Sequence, residues 1–143
     1  MLAIDTETMR IALTRGDTAS IEFSAKKPNG SNFSPIVGDI LRFVVTKKRG
    51  GSTVFEVANT YDSTLPDALT QFWTITIGAP NSNDWYQKDS DGNVVLDSNG
   101  EPAYIKFGDY KYDVEIITET GKDTIIGKTD DIDPIFTVWD ENE

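Results

Sequence analysis

The stretch GDYKYDVEIIT, Gly108 to Thr118, decides the reading of the chain. Tyr110, Tyr112, Val114 and Ile116 fall on one face of an extended segment; Lys111, Asp113 and Glu115 fall on the other. Side chains of a strand point alternately to its two faces, so this pattern marks a half-buried β-strand. Downstream, GKDTIIGK supplies a hairpin partner that turns between Glu119 and Lys122. DPIFTVWDENE supplies a last strand, with either Phe136 and Val138 or Ile135 and Trp139 inward.

The same period recurs upstream. MRIALT places Ile11 and Leu13 on one face, opposite Arg10, Ala12 and Thr14, and SIEFS places Ile21 and Phe23 inward. Between them TRGDT holds a glycine, which supplies positive φ, and an aspartate that can bond the local backbone, so a tight turn is expected. AKKPNGSNFSP reads as a loop. GDILRFVVTKK has Leu41, Phe43 and Val45 on one side and Ile40 and Val44 on the other, which predicts a central strand. KKRGGS (47–52) connects it to a partner strand, STVFEVA. NTYDSTLPDAL reads as irregular with a helical turn, and QFWTITIG as a strand with Trp73, Ile75 and Ile77 on one face. APNSNDWYQK predicts one short helical turn capped by Asn81 or Ser82. DSDGN and DSNGE then flank VVL, a hairpin-like excursion with turns about eight residues apart. No internal repeat or low-complexity linker is evident. The expectation is one all-β domain over 1–143, an antiparallel sandwich of about seven to nine strands. Residues 81–104 would form an insertion in it.

Composition narrows the chemistry. The 143 residues contain no cysteine, so neither disulfides nor thiolate metal sites arise, and no histidine, the commonest general base. Residues 73–143 hold 5 Lys and Arg against 16 Asp and Glu, which accounts for the whole net charge of −11. Such a field repels phosphate, so neither nucleic acid nor an anionic membrane is expected as a partner; a basic protein surface or calcium is compatible. Acids arrive by Asp5 with no apolar run after them, which argues against a secretory signal, and no apolar stretch approaches the length of a membrane helix.

Four candidate sites emerge. An EF-hand loop places acids at its ends, but aligning Gly92 as the sixth residue puts Gln87 first and Ser98 twelfth, and aligning Gly100 puts Val95 and Lys106 there. Asp and Asn beside Gly are what turns use, so Asp89, Asp91 and Asp97 are read as turn residues that double as contact candidates. TDDIDP (129–134) brings Asp130, Asp131 and Asp133 together, more simply as a solvated loop than as a cation site. No spacing singles out a catalytic carboxylate pair, and no nucleophile elbow is present, so no enzyme, cofactor or metal is expected. Trp85 and Tyr86 lie in a polar segment and are the exposed aromatic candidates, whereas Trp73 and Trp139 sit on strand patterns and are assigned to the core. Arg15-Gly16-Asp17 matches a cell-adhesion tripeptide, but the flanking strands leave little loop to protrude.

The order of IALTRGDTASIEF, GDILRFVVTKK, FWTITIGAP and FGDYKYDVEIITETGKDTIIGK, from Ile11 to Val138, resembles the immunoglobulin-like N-terminal domain of upper baseplate proteins from tailed phages and prophages of Gram-positive bacteria. The resemblance implies a non-enzymatic virion structural protein that docks to other virion proteins, as a homo-oligomer or in multiple copies of a symmetric assembly. It would be assembled in the host bacterial cytoplasm. Since the sequence stops at Glu143, a small adaptor or decoration of tail, baseplate, neck or head is expected. The alternative is a carbohydrate-binding sandwich that reads the bacterial surface with Trp85 and Tyr86.

Overall fold

The computed structural model describes residues 2–5, 7–51, 53–78, 85–89, 91 and 93–140. Over these it is all-β and sandwich-like. The strands are β1 (Leu2–Asp5), β2 (Arg10–Thr14), β3 (Ala19–Glu22), β4 (Ile40–Thr46), β5 (Thr53–Thr60), β6 (Thr74–Ile77), β7 (Gly108–Thr118), β8 (Gly121–Ile126) and β9 (Ile135–Trp139), with one helix, α1 (Ala68–Trp73). The larger sheet has seven strands in the order β1-β2-β9-β7-β4-β5, with β8 also on β7; β3 and β6 form the smaller sheet.

β7 is the pivot. It pairs β4 from Lys111 to Ile117 on one side; on the other it pairs β9 through 108–111 and β8 through 114–118. Tyr110, Tyr112, Val114 and Ile116 are all buried, as the alternation predicts. Phe43 of β4 sits at the centre of the core, 5.2 Å from Tyr112, 5.7 Å from Phe136, 6.3 Å from Phe23 and 6.4 Å from Phe55 between ring centroids. The polar face of β7 is tied down as well. Glu115 is buried, accepts from Arg42 at 3.1 Å and forms an ion pair with Lys122 at 3.1 Å, while Arg42 also pairs Glu56. A buried charge is tolerated only when partnered in this way.

Four features depart from the sequence reading. The large sheet is mixed, because β2 runs parallel to β9 with Arg10 opposite Ile135 and Thr14 opposite Trp139. Arg10 fixes that register by bonding Thr137 Oγ1 at 3.2 Å and Asp109 at 3.2 Å. β1 is an additional edge strand on β2, with Leu2 and Ile4 exposed. The strand expected over QFWTITIG begins only at Thr74, since Phe72 and Trp73 end α1. Asn59 Nδ2 lies 3.1, 3.2 and 2.6 Å from the carbonyls of Gln71, Phe72 and Thr74, satisfying the helix terminus that would otherwise lack partners. Trp73 is half-buried and packs against the core from outside it, and Trp139 is half-buried.

Strand direction sorts the loops into two ends. β4 starts beside the end of β5, where Gly38 N donates to Tyr61 O at 3.2 Å and Tyr61 N to Asp39 O at 2.8 Å. It finishes, roughly 20 Å away at about 3.3 Å per residue, where β5 starts and Lys88 N donates to Val54 O at 3.0 Å. The first end therefore carries residues 33–39 and 61–67. The second carries the 15–18 turn and the insertion.

Candidate functional site

The insertion is built from its two turns. Asp89 Oδ1 accepts from the amides of Asp91 at 2.9 Å and Asn93 at 3.0 Å; Asp97 Oδ1 accepts from Asn99 at 2.9 Å and Glu101 at 3.0 Å. Asp89 N donates to Asn93 O at 2.8 Å and Asp97 N to Glu101 O at 2.7 Å. The same local bonding thus recurs eight positions on, a repeat visible in the backbone rather than in overall sequence identity. The segments between the turns do not form a flat hairpin. Gln87 N donates to Ala103 O, Ala103 N to Val95 O and Val95 N to Gln87 O, each at 2.8 Å, closing a ring of three backbone bonds. Isolated bridges at Tyr86–Tyr104, Lys88–Val94 and Leu96–Pro102 surround that ring. The capped turn expected at Asn81 or Ser82 lies outside the described residues.

The ring is anchored at both feet. Trp85, expected to be exposed, is only 4% accessible and belongs to the core; its Nε1 donates to Asp17 O at 3.2 Å. The polar residues that follow it do not prevent this, because Gln87 pairs its backbone within the ring and Lys88 N donates to Val54 O. Ile105, the other foot, is fully buried and donates its amide to Trp85 O at 2.9 Å. Trp85 is therefore unavailable as a sugar-stacking platform. Arg15 bonds Ile105 O at 3.0 Å, and its guanidinium lies 4.1 Å from the Phe107 ring centroid and 5.2 Å from that of Tyr104. The turn it belongs to closes through Asp17 N to Thr14 O at 3.0 Å, with Gly16 at φ 94°. The RGD tripeptide is thus a turn, as read, and its arginine braces the insertion.

What the second end exposes is partly new. Tyr104 is 54% accessible and Phe107 and Leu96 are exposed, although the sequence pattern singled out none of the three. Tyr86 is half-buried with its ring centroid 5.2 Å from that of Tyr104. Tyr104 beside it holds the Tyr86 phenol above its ordinary value, with burial and Glu101 adding to the shift. Tyr86, Tyr104, Arg15, Asp97 and Glu101 line an open groove of about 550 Å³. Asp89 and Asp91 are exposed but lie off this groove, against β5 and Arg42.

The first end exposes aliphatics on a fixed loop. Ile36 is 59% and Val37 66% accessible, and Leu65 and Leu69 are exposed where the chain leaves β5 and enters α1. Buried Asp39 holds the loop: its Oδ2 accepts from Ile36 N at 3.0 Å, and its own amide donates to Ile36 O at 3.0 Å.

The acidic run at 129–134 divides. Asp130 and Asp131 are exposed, while Asp133 pairs with Lys111 at 2.8 Å and Arg49 at 2.9 Å, and Arg49 also holds Asp113. Among the described residues no three acidic side chains come together as a metal-binding group. No known family pattern, no curated protein and no solved structure matches the chain.

Proposed function

We propose that this chain is a non-enzymatic structural adaptor of a phage virion, a small tail or baseplate module that docks to other virion proteins. The observation that carries the adaptor reading is the exposure of large apolar side chains at opposite ends of one sandwich, Ile36, Val37, Leu65 and Leu69 at the first and Leu96, Tyr104 and Phe107 at the second. Both sets are displayed on segments tied into the fold by backbone hydrogen bonds, so presenting them costs little ordering entropy on association. Exposed apolar groups clustered on a rigid element are the usual mark of an interaction site, whereas scattered ones are not. Two such ends allow one module to join two neighbours. The virion context rests on the sequence resemblance described above.

The test uses two paired variants, Ile36→Ser with Val37→Ser and Tyr104→Ala with Phe107→Ala, expressed in place of the natural chain during particle assembly. Each pair should leave the thermal unfolding of the isolated protein nearly unchanged and weaken attachment to a different neighbour. Retention of both variants in particles at the natural level, with every cross-linked neighbour kept, would reject the two-ended adaptor.

A further inference from the structure

Resting on that docking reading, we infer that the partner seated on the insertion end is a basic protein surface that places lysine or arginine beside apolar groups. The seat is mixed. Leu96, Tyr104 and Phe107 offer apolar area, and Asp97 and Glu101 stand on the groove that Tyr104 walls. Residues 85–107 carry Lys88 and Lys106 against Asp89, Asp91, Asp97 and Glu101, two cations against four carboxylates. The chain as a whole has the same sign, with a net charge of −11. Such a field steers a cationic partner inward and repels an acidic one. Arg15 places its guanidinium on Ile105 O and against the rings of Phe107 and Tyr104, which shows that these rings accommodate a guanidinium. Cation–aromatic contact flanked by carboxylates is the chemistry by which lysine and arginine are selected over neutral side chains. A neutral glycan could use the rings but would gain nothing from the field, and nucleic acid would be repelled by it.

The experiment places a benzophenone amino acid at Tyr104 of the full chain and irradiates purified assembled particles. Glu101→Gln and Glu101→Lys are scored for incorporation in parallel; Asp97 is left intact because it holds a turn. The expected result is a cross-link to a lysine- or arginine-rich segment of another virion protein. Incorporation should fall stepwise from Glu101 to Gln to Lys, by about tenfold for the reversal, with thermal unfolding unchanged. A cross-link to an acidic or uncharged protein surface or to a glycan, no cross-link from an incorporated chain, or indifference to Glu101→Lys would each overturn the inference and leave docking itself standing. Absence of the unaltered chain from particles would instead overturn the docking reading.

Discussion

Replacing Trp85 by phenylalanine examines the joint between the insertion and the sandwich. The indole is 4% accessible, and its Nε1 donates to Asp17 O at 3.2 Å. Phenylalanine removes that donor, and a typical intramolecular hydrogen bond contributes about 0.5–1.5 kcal/mol. It also removes part of a buried ring system, which adds about 1–2 kcal/mol for lost transfer energy and the space left behind. The expected cost is therefore about 1.5–3.5 kcal/mol, and truncation to alanine should cost about 3–5 kcal/mol. Urea unfolding followed by circular dichroism measures it. With a slope of about 1–3 kcal/mol per molar, Trp85→Phe should move the midpoint by roughly 1 M at unchanged slope. A phenylalanine variant within about 0.5 kcal/mol of the natural chain, the range of an ordinary surface substitution, would show that Trp85 does not anchor the insertion.

Gly78→Ala should destabilise by at least about 1–3 kcal/mol, because φ is +98° and an added Cβ would stand 2.5 Å from the backbone oxygen of Asp17. Gly30→Ala, at φ +87° with open space around it, should cost less in the same denaturation assay. Lys111 and Arg49 hold the Asp133 carboxyl below the usual carboxylate range. Its contribution is thus present above the unfolded value of about 4 and lost as pH falls through the depressed folded value. Asp133→Asn should therefore lower the melting temperature at pH 7, with the difference closing in acid. Burial pushes the Tyr112 phenol up to about 12, and its hydroxyl donates to Met9 O at 2.8 Å. The natural chain should keep its advantage over Tyr112→Phe below pH about 10 and lose it as pH rises towards about 12; a constant gap in melting temperature across that window would contradict the burial of the phenol.

Local chemistry was legible in the sequence and long-range pairing was not. The two-residue period of β4 and β7 identified their inward faces, since burial on one face imposes it. The turns at Asp89, Asp97 and Gly16 were readable because their bonds span only a few residues. Nothing in periodicity announces that β2 lies parallel to β9, because the two are brought together only by the closed core. LAID is too short to signal a strand by itself, and its pairing to β2 depends on tertiary context. The helix through Phe72 and Trp73 rests on Asn59 from another element, which no window of sequence contains. Of the contact candidates, Tyr86 and Asp97 meet at one groove, Asp89 and Asp91 lie off it, and Trp85 is core. Tyr104 and Phe107 escaped notice because their exposure follows from the closed three-segment ring rather than from their neighbours in sequence.

The central claim is that both ends of the sandwich are covered by neighbours in an assembled particle. Amide hydrogen exchange of the chain in purified particles, compared with the isolated protein, tests it most directly. Added protection is predicted at two separate places, residues 36–38 with 65–69 and residues 96–107. Protection at neither place in a particle that contains the chain, or failure to find the chain in particles at all, would contradict the account.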